Sequence, residues 1–537
     1  MSALFGRQIP LLNIVLAFLI VCVAAIGPYL STADDYFVRD DFGVVGLLER
    51  KPASYFPRWF VSSWMDDVFG ETLDELRPFT ALTFQLTALG GAGEPRVHHL
   101  LNIALHAAVS VLVMLMARAV AGMSVPVSVL AGVVFAVLPV QAETVAWING
   151  RVDSLPALLY VATFLSYVQW RKGGDLGGHW YAAAVALFFV ALFTKQTAIT
   201  LPATLVTYDV LVESRPVRLS LQCIRPYIPF VTLTAAYLCL RYVLFGQAVR
   251  EAQLSASGFS YFGRVVVRHL SSVVAGDPAA SAVAVLAFLL MATAVFWTIG
   301  DDLHQNDGGR FIGALLFFGP AWWVIGVAPI AVAGYESPRH VYLASAGWAV
   351  VVAFLVDVLR TAAPSPPWRR LVGAGSILLL AFYGVRLNTV IGQWHTMAAV
   401  SQKVVRDVSA AALAAPPGSL LIVDPPLRSS EWSIPISMRP PFSPAAVSQR
   451  AYIVSMRPLH CCRDEWFQDT RRTLRTWLDR RPTMPIYVLH WDPLSGALTR
   501  TTETNDPKLR PLVIGLMAQD SARSLDIAVF SLLNRGS

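Results

Sequence analysis

An acidic segment follows the first long apolar run of this 537-residue chain. It reads DDYFVRDDFG, from Asp34 to Gly43, and contains four aspartates in eight residues, with an arginine between the two pairs. A carboxylate at a membrane boundary can act as a general base on an acceptor hydroxyl or amine. A solvated acidic loop has the same composition, but the aromatic residues of the segment favour anchoring at the membrane interface. The segment is therefore a candidate catalytic element.

Acidic and basic side chains recur near the ends of other apolar runs. The sequence PVQAETVAWINGRVDSLP, from Pro139 to Pro156, places Glu143, Arg151 and Asp153 at a turn between two such runs. The arginine and the aspartate could form only a structural ion pair. Ionisable groups at membrane depth are costly to bury, however, and are functional candidates by default.

Two further segments present charges on the same predicted side of the membrane. Lys195 is the lone cation of FTKQTAITLP, and YESPRHVYLASAG contains Glu336, Arg339, His340 and Tyr342 at the start of another apolar run. Several cations carried by different helices suit the phosphate group of a lipid, because charge-assisted hydrogen bonds to phosphate are strong. The pattern predicts a phosphate-binding cluster.

Three polar residues of the segment HHLLNIALH share one face of a predicted helix. His99, Asn102 and His106 are spaced i, i+3 and i+7, which places them on one side of the helix. Two histidines with carboxylates nearby could bind a metal ion, but interhelical hydrogen bonding is the more ordinary role in a helical bundle. We predict hydrogen bonding and no required metal, with a divalent cation left open.

The composition indicates which kind of scaffold carries these residues. Hydrophobic residues make up 55% of the chain and charged residues 14%, and the mean hydropathy is +0.54, whereas soluble domains carry roughly 25% charge. Long apolar runs separated by short polar segments are typical of an α-helical polytopic membrane protein. We predict about eleven spanning helices, near residues 11–29, 98–118, 127–148, 153–170, 179–194, 197–213, 226–245, 280–300, 311–331, 341–360 and 370–390.

Lysine and arginine residues between the runs predict the orientation of the chain. With the amino terminus in the cytoplasm, nearly all of the short basic loops lie inside, as the positive-inside rule requires. These loops also account for the formal net charge of +7, so a nucleic-acid partner is not expected. An odd number of spans places the carboxyl-terminal region outside. We expect a multi-pass protein of the bacterial inner membrane, with its chemistry on the periplasmic side.

The last part of the chain has a different composition from the rest. The segment Asp464–Arg481 is typical of an amphipathic helix, and it lies among four short β-type runs, Leu420–Val423, Ala451–Val454, Ile486–Leu489 and Ile527–Phe530. These elements predict a small α/β or α+β domain. We therefore expect a transmembrane catalytic domain at 1–390, including a first outer loop at 30–97, and a soluble extracytoplasmic domain at 391–537.

A series of blocks in one order resembles a known group of enzymes. The blocks are RDDFG, RPFTALTF from Arg77, HLLNIALH from His99, LPVQAETVAWINGRVD, TKQTAITLP and PRHVYLASAG. They resemble the GT-C membrane glycosyltransferases, which include protein O-mannosyltransferases and lipid A aminoarabinose transferases. Their motifs are most similar to those of the TMTC-type O-mannosyltransferases and their bacterial relatives, and the GRxD block is the most specific of them.

Several positions depart from that family pattern. Leu138 replaces a histidine, Gln196 replaces a glutamate, and Ala344 replaces a proline, while Glu336 stands three positions before Arg339 and not beside it. The α/β-like tail also takes the place of the repeats that are typical of TMTC proteins. These departures concern the acceptor and the roles of the two glutamates, Glu143 and Glu336, and leave the expected fold unchanged.

The resemblance implies an inverting transfer of a hexose or pentose from a polyprenyl-phosphate carrier to a glycan, protein or lipid acceptor. It implies a catalytic base at Asp40 or Asp41. It also implies donor-phosphate binding by Arg77, Arg151, Lys195 and Arg339, with support from His99, Asn102, Glu143, Asp153, Glu336 and Tyr342. The sequence contains no Walker or Rossmann phosphate loop for a nucleotide sugar, and a lipid donor needs none.

Two other classes of function fit part of the pattern. A transporter or flippase of a lipid-linked or small substrate also combines many spans with buried charges. Such proteins often contain inverted internal repeats, which this sequence does not display. A membrane-anchored assembly protein would not need charges at the ends of successive helices. The sequence therefore favours a glycosyltransferase.

Overall fold

The computed structural model describes most of the chain, with gaps. The described residues are 10–66, 74–91, 93–173, 177–215, 220–249, 256–275, 313–333, 336–363, 365–426, 433–455, 463–481, 483–500 and 509–517. The predicted span at 280–300 and the predicted β-type run Ile527–Phe530 lie outside them.

Helices dominate the part before residue 415. In chain order they are α1 Leu11–Ile26, α2 Asp41–Leu48, α3 Pro78–Ala88, α4 Pro95–Ala121, α5 Val125–Val137, α6 Ala142–Ala146, α7 Arg151–Arg171, α8 Gly177–Leu192, α9 Leu201–Leu211, α10 Leu221–Ile224, α11 Ile228–Phe245, α12 Ala256–Ala275, α13 Trp322–Ala333, α14 Ser345–Ala362 and α15 Pro366–Ala414. Short 3₁₀ turns join several of them, including Ile148–Gly150, Gln196–Thr200 and Pro338–Val341.

Five helical stretches of the described residues are long and apolar enough to cross a membrane. They are Leu11–Asp34, Pro95–Ala121, Leu221–Phe245, Gly313–Ile330 and Pro366–Ala414, and the bent pair Val125–Val137 and Pro139–Ala146 is a sixth candidate. This helix content makes the chain a multi-pass membrane protein. The full count of eleven spans stays a prediction.

Two breaks between helices lie where the sequence places a helix-breaking or polar residue, one inside a predicted span and one between two predicted spans. The stretch predicted at 127–148 bends by 52° between α5 and the following turn, because Pro139 lacks the amide proton that would continue the helix. Lys195 separates α8 from α9, and its backbone is extended, with φ −159° and ψ 137°. Both interruptions lie at the candidate site.

The chain divides into two compact units. The first contains Met1–Thr32, Leu76–Thr80 and His99–Gly392, and the second contains Ala33–Glu75, Ala81–His98 and Gln393–Ser537. Most of residues 30–97, the predicted first outer loop, thus groups with the carboxyl-terminal residues and not with most of the helices. The reason is that α15 continues through the predicted boundary at residue 390 as far as Ala414, and its last turns bind loop residues.

Close helix packing builds the core of the first unit. Helix α7 packs along α8, and α5 packs against both α1 and α14. A Cβ atom at Gly132 of α5 would lie 3.0 Å from the Ser110 carbonyl oxygen and 3.0 Å from a Val21 methyl group. The absence of a side chain therefore permits the close approach of three helices, as is usual in membrane bundles.

A four-stranded mixed sheet forms the tail of the second unit. Its strands are β1 Leu420–Asp424, β2 Tyr452–Ser455, β3 Ile486–Asp492 and β4 Ala497–Arg500, in the order β2-β1-β3-β4. β1 is parallel to β2 and β3, and β4 pairs antiparallel with β3. The remaining helices are α16 Ile434–Ser437, α17 Ala445–Arg450, α18 Arg463–Arg480 and α19 Leu509–Met517. Three strands and α18 agree closely with the predicted segments, whereas β4 was not predicted.

Candidate functional site

A tight turn before α7 positions Arg151. Gly150 donates its amide to the Trp147 carbonyl at 2.9 Å, and a Cβ atom at Gly150 would lie 2.3 Å from the Thr144 carbonyl oxygen, so only glycine fits. The Asn102 amide donates to the Trp147 carbonyl at 2.8 Å and accepts a hydrogen bond from Arg151 Nε at 3.2 Å. Arg151 is fully buried, and Asn102 therefore fixes both the turn and the guanidinium that follows it.

Asp153 joins two cations from distant parts of the sequence. Its carboxylate forms an ion pair with the Lys195 ammonium and a second one with Arg339 Nε, the latter at 3.2 Å. Each of the three side chains is at most 13% exposed, so the charges interact with little screening by water. The structure thus brings together residues that the sequence separates by almost 190 positions, from 153 to 339.

Arg339 also contacts Glu143 and Trp147. Glu143 accepts hydrogen bonds from the Ser337 hydroxyl at 2.7 Å, from the Arg339 amide at 3.3 Å and from the Arg339 guanidinium at 3.5 Å. The guanidinium carbon lies 4.7 Å from the centre of a Trp147 ring, within the range of a cation–π interaction. Two carboxylates and one indole therefore preorganise Arg339.

Arg77 belongs to the same region. The start of α3 is tied to the loop that carries Lys195, because the Thr80 hydroxyl donates to the Thr194 carbonyl at 2.9 Å and the Phe79 amide donates to the Phe193 carbonyl at 3.3 Å. Arg77 is buried, with 6% exposure, and acts electrostatically on Lys195. We call Arg77, Lys195 and Arg339, with Arg151 two residues before Asp153 in the sequence, the cation cluster.

The pKa of a neighbouring histidine reflects the positive field of this cluster. Burial lowers the pKa of His340 well below its ordinary value, and Lys195, Arg339 and Arg77 lower it further. The imidazole is therefore neutral at physiological pH. Three interacting cations, Arg77, Lys195 and Arg339, share the region with two carboxylates, Glu143 and Asp153, so it has a positive excess that favours an anionic ligand.

The other supporting residues have different surroundings. Glu336 lies 3.3 Å from His269 Nε2 and 3.7 Å from an Arg268 nitrogen, both on α12. Glu336 thus pairs with side chains of α12, whereas Glu143 pairs with Ser337 and Arg339. Burial lowers the pKa of His269, and Glu336 opposes the shift.

Tyr342 and the histidine face of α4 form an interhelical network. His106 Nε2 lies 3.1 Å from the Ala136 carbonyl and must donate to it, so Nδ1 accepts a hydrogen bond from the Tyr342 hydroxyl at 2.8 Å. His99 and Asn102 are also buried, and Asn102 bonds to the turn before α7. Among the residues that the structure describes, no three histidine, cysteine, aspartate or glutamate side chains gather as metal ligands would.

The acidic segment lies in the second unit and is organised around Asp41. The Asp41 carboxylate is 1% exposed and accepts a hydrogen bond from the Val38 amide at 3.0 Å. Asp40 precedes α2 at its N-cap position and is partly exposed. Arg39, directly before Asp40, has a left-handed backbone, with φ 51°, which a non-glycine residue rarely adopts. The two adjacent aspartates thus have different environments.

Helix α15 binds the acidic segment from the side. The Asp35 carboxylate lies 2.8 Å from His395 Nδ1, and the Ser401 hydroxyl donates to the Phe37 carbonyl at 2.7 Å. Burial raises the pKa of Asp35, and His395 opposes that shift. These contacts give the segment a defined conformation, which a solvated loop would not have.

Some residues of the site were not singled out from the sequence. Trp147 and Ser337 lie inside the motifs that were recognised, but a tryptophan or serine beside a charged residue gives no signal of its own. His269 lies in a segment without a recognised motif. Only its position on an amphipathic helix, five residues after Arg264 and beside Arg268, distinguishes it.

Comparison with known proteins gives partial matches. No protein-family model matches the chain. The chain is 32% identical over 223 residues to the protein O-mannosyl-transferase Tmtc2 of Drosophila melanogaster, which covers 39% of this chain and 23% of the relative. It is 33% identical over 187 residues to the human protein O-mannosyl-transferase TMTC3, covering 33% of this chain and 20% of the relative. The chain therefore spans about a quarter or less of these curated relatives.

Solved structures give more extended but weaker similarity. The ArnT structure from Cupriavidus metallidurans with bound undecaprenyl phosphate matches with 13% identity and a TM-score of 0.47, covering 90% of this chain and 93% of that one. The apo oligosaccharyltransferase of Archaeoglobus fulgidus matches with 12% identity and a TM-score of 0.49, covering 97% and 72%. The sequence matches confirm the resemblance of this chain to the TMTC-type O-mannosyltransferases.

Proposed function

We propose that the chain is a glycosyltransferase that moves a sugar from a polyprenyl-phosphate carrier to an acceptor on the outer side of the membrane, with inversion. The observation that carries the proposal is the shared environment of Lys195 and Arg339, which meet at Asp153 among buried side chains. The partial similarity to protein O-mannosyl-transferases supports the same reaction class.

The cation cluster has the chemistry that a departing lipid phosphate requires. The phosphate gains negative charge as the bond to the sugar breaks, and preorganised cations in a low-dielectric site stabilise that charge most. Lys195 and Arg339 are already held in place by Asp153, Glu143 and Trp147. An incoming phosphate would replace part of their interaction with the carboxylates, so little rearrangement would be needed.

The acceptor would be activated by a carboxylate of the acidic segment. We propose Asp40 as the base, with Asp41 as the alternative. The partial exposure of Asp40 suits contact with a substrate hydroxyl, whereas Asp41 is buried and bonds to the Val38 amide. We further propose that no metal is required, that the amino terminus lies in the cytoplasm and that the protein resides in a bacterial inner membrane.

Sugar transfer by purified protein tests the proposal. The protein in detergent is supplied with synthetic polyprenyl-phosphate mannose, glucose or arabinose and a mixture of envelope glycans, peptides and lipids as acceptors, and release of the polyprenyl phosphate is measured. We expect turnover with one of these donors in the wild type and strong loss in Arg339→Gln. The matched control is Arg96→Gln, because Arg96 forms an ion pair at the surface with 64% exposure.

Two results would contradict the proposed function. One is the absence of turnover with every donor in the presence of these acceptors, although the protein is folded and monodisperse. The other is turnover that Arg339→Gln leaves at the wild-type rate. Transport of the intact lipid-linked sugar across vesicles without its cleavage would identify a flippase instead.

A further inference from the structure

The tail sheet has the reversal of strand order that marks ligand-binding sites in α/β proteins. The chain leaves β1, forms β2 on one side of it, and then crosses to form β3 on its other side. The strand order therefore reverses between β1 and β3, which are parallel neighbours. In such sheets, ligands bind outside the carboxyl ends of the strands at this switch point.

An aspartate and a histidine face each other across that point. Asp424 ends β1 and is the register partner of His490 on β3, so both side chains project on the same face of the sheet. His490 Nδ1 lies 2.7 Å from an Asp424 carboxylate oxygen. The Asp424 side chain is 2% exposed, whereas the His490 side chain is 39% exposed. A buried carboxylate thus orients an imidazole whose ring reaches the surface.

Other polar groups surround the imidazole on this edge. Thr499 on β4 is the register partner of His490 and is exposed, and its hydroxyl donates to the His490 carbonyl at 3.3 Å. Asp492, two residues after His490, accepts hydrogen bonds from the Leu494 and Ser495 amides at 3.0 and 3.1 Å. His490 acts electrostatically on this carboxylate. The edge therefore presents hydroxyl and carboxylate oxygens beside a ring nitrogen.

The charges of Asp424, His490 and Asp492 indicate which class of ligand this edge can bind. Two carboxylates beside one imidazole disfavour an anion such as phosphate, since like charges repel. A neutral ligand rich in hydroxyl groups can donate to the partly exposed Asp492 carboxylate and pair with the second ring nitrogen of His490, which the buried Asp424 orients. We propose that the carboxyl edge of this sheet, centred on Asp424 and His490, is a carbohydrate-binding site. This inference is independent of the transferase reaction proposed above.

Saturation-transfer NMR on the full-length protein in detergent tests the site. The probes are the methyl glycosides of mannose, glucose, galactose and arabinose at millimolar concentration, with inorganic phosphate and Ca²⁺ as competitors. We expect at least one glycoside to bind. Its affinity should fall about tenfold or more in His490→Gln, which removes the ring that bonds to the sugar, and in Asp424→Asn, which weakens the hydrogen bond that orients that ring.

Three control variants make the result specific. Thr476→Ala removes an exposed hydroxyl of α18 and should leave binding unchanged. Lys195→Met separates this site from the cation cluster, and glycoside binding should survive it. A size-exclusion profile and a circular dichroism spectrum like those of the wild type establish that His490→Gln is folded. Should Asp424→Asn not fold, His490→Gln and His490→Phe alone decide the matter.

Several results of these binding experiments would overturn the proposed carbohydrate site. Absence of binding for all four glycosides overturns it, as does binding that both His490 variants leave intact. Competition by phosphate or Ca²⁺ at these residues would show an ion site and would also overturn it. Loss of binding in Lys195→Met together with retention in His490→Gln would place the sugar at the cation cluster, and this outcome would leave the transferase proposal standing.

Discussion

In the cation cluster, charged side chains from distant segments hold one another, whereas the acidic segment is held by backbone groups and by a neighbouring helix. Lys195 and Arg339 share the Asp153 carboxylate. Asp41, in contrast, accepts a hydrogen bond from the Val38 amide only three residues away, and α15 contributes His395 and Ser401 to the segment. The cluster therefore depends on tertiary structure for its geometry, and the segment depends largely on its local conformation.

This difference separates residues that are poised to react from residues that maintain the structure. Within the acidic segment, Asp41 is buried and engaged by its own turn, while the adjacent Asp40 is partly exposed. Within the cluster, mutual pairing leaves the cations preorganised but able to exchange a carboxylate for a phosphate. Each of the following substitutions changes either the cation cluster or the acidic segment.

The largest effect is expected from Asp40→Asn. If Asp40 is the base, its removal should lower the rate of sugar transfer about 10²–10⁴-fold without loss of folding. The adjacent Asp41→Asn retains an oxygen that can accept the Val38 hydrogen bond, so its rate should fall less than tenfold. Rates are measured at saturating donor. Equal rates in the wild type and both variants would remove the segment from catalysis, and the reverse order of effects would assign the base to Asp41.

The next effect concerns stability. Asp153→Asn leaves two buried cations facing a neutral amide, and breaking a buried ion pair costs about 3–5 kcal/mol. Asp34→Asn provides the matched control, since its ion pair with Arg96 is 74% and 64% exposed and such pairs contribute about 0–1 kcal/mol. Thermal unfolding in detergent, followed by tryptophan fluorescence, should show a clear drop only for Asp153→Asn. Equal melting temperatures would mean that water screens the cluster.

A smaller effect is expected when charge is kept and geometry is changed. Arg339→Lys and Arg151→Lys preserve the positive charge but lose the planar fork that grips a phosphate. Donor KM should rise about 10-fold or more, as expected for the loss of a hydrogen bond to a charged group. Arg264→Lys, at an exposed position of α12, is the control. Unchanged kinetics for both cluster variants would make these arginines structural.

No effect is expected from chelation of divalent cations. The cluster supplies the positive charge that a metal ion would otherwise provide, so transfer should proceed within about twofold of the untreated rate in excess EDTA. Strong inhibition that Mg²⁺ or Mn²⁺ reverses would contradict this expectation. In that case the phosphate would be bound through an ion as well as through the cluster.

Local features of the fold were predictable from the sequence, because they depend on patterns within short segments. Short apolar runs of β-type residues located β1, β2 and β3 to within a few residues, and the amphipathic pattern located α18. β4 was missed because Ala497–Arg500 is short and half polar. Its signal was the hairpin turn before it, where Gly496 has a positive φ of 57°.

For contacts between distant segments, the sequence predicted the types of residue involved but not which residues pair. The sequence indicated that cations from several helices would lie at one site, and the family motifs identified which cations these are. It gave no means of predicting that Asp153 pairs with both Lys195 and Arg339, or that Glu336 turns instead towards α12. Such partners depend on how helices pack in three dimensions. Helix length was also underestimated at α15, whose polar continuation beyond residue 390 has no membrane signature but remains helical.

The most direct test of the central claim is a structure of the protein with a synthetic polyprenyl phosphate, determined by cryo-electron microscopy in lipid nanodiscs. We expect phosphate oxygens within about 3.5 Å of the Lys195 ammonium and the Arg339 guanidinium, with Asp153 still beside them. A phosphate bound elsewhere, while Lys195 and Arg339 remain paired only with Asp153 and Glu143, would contradict that claim.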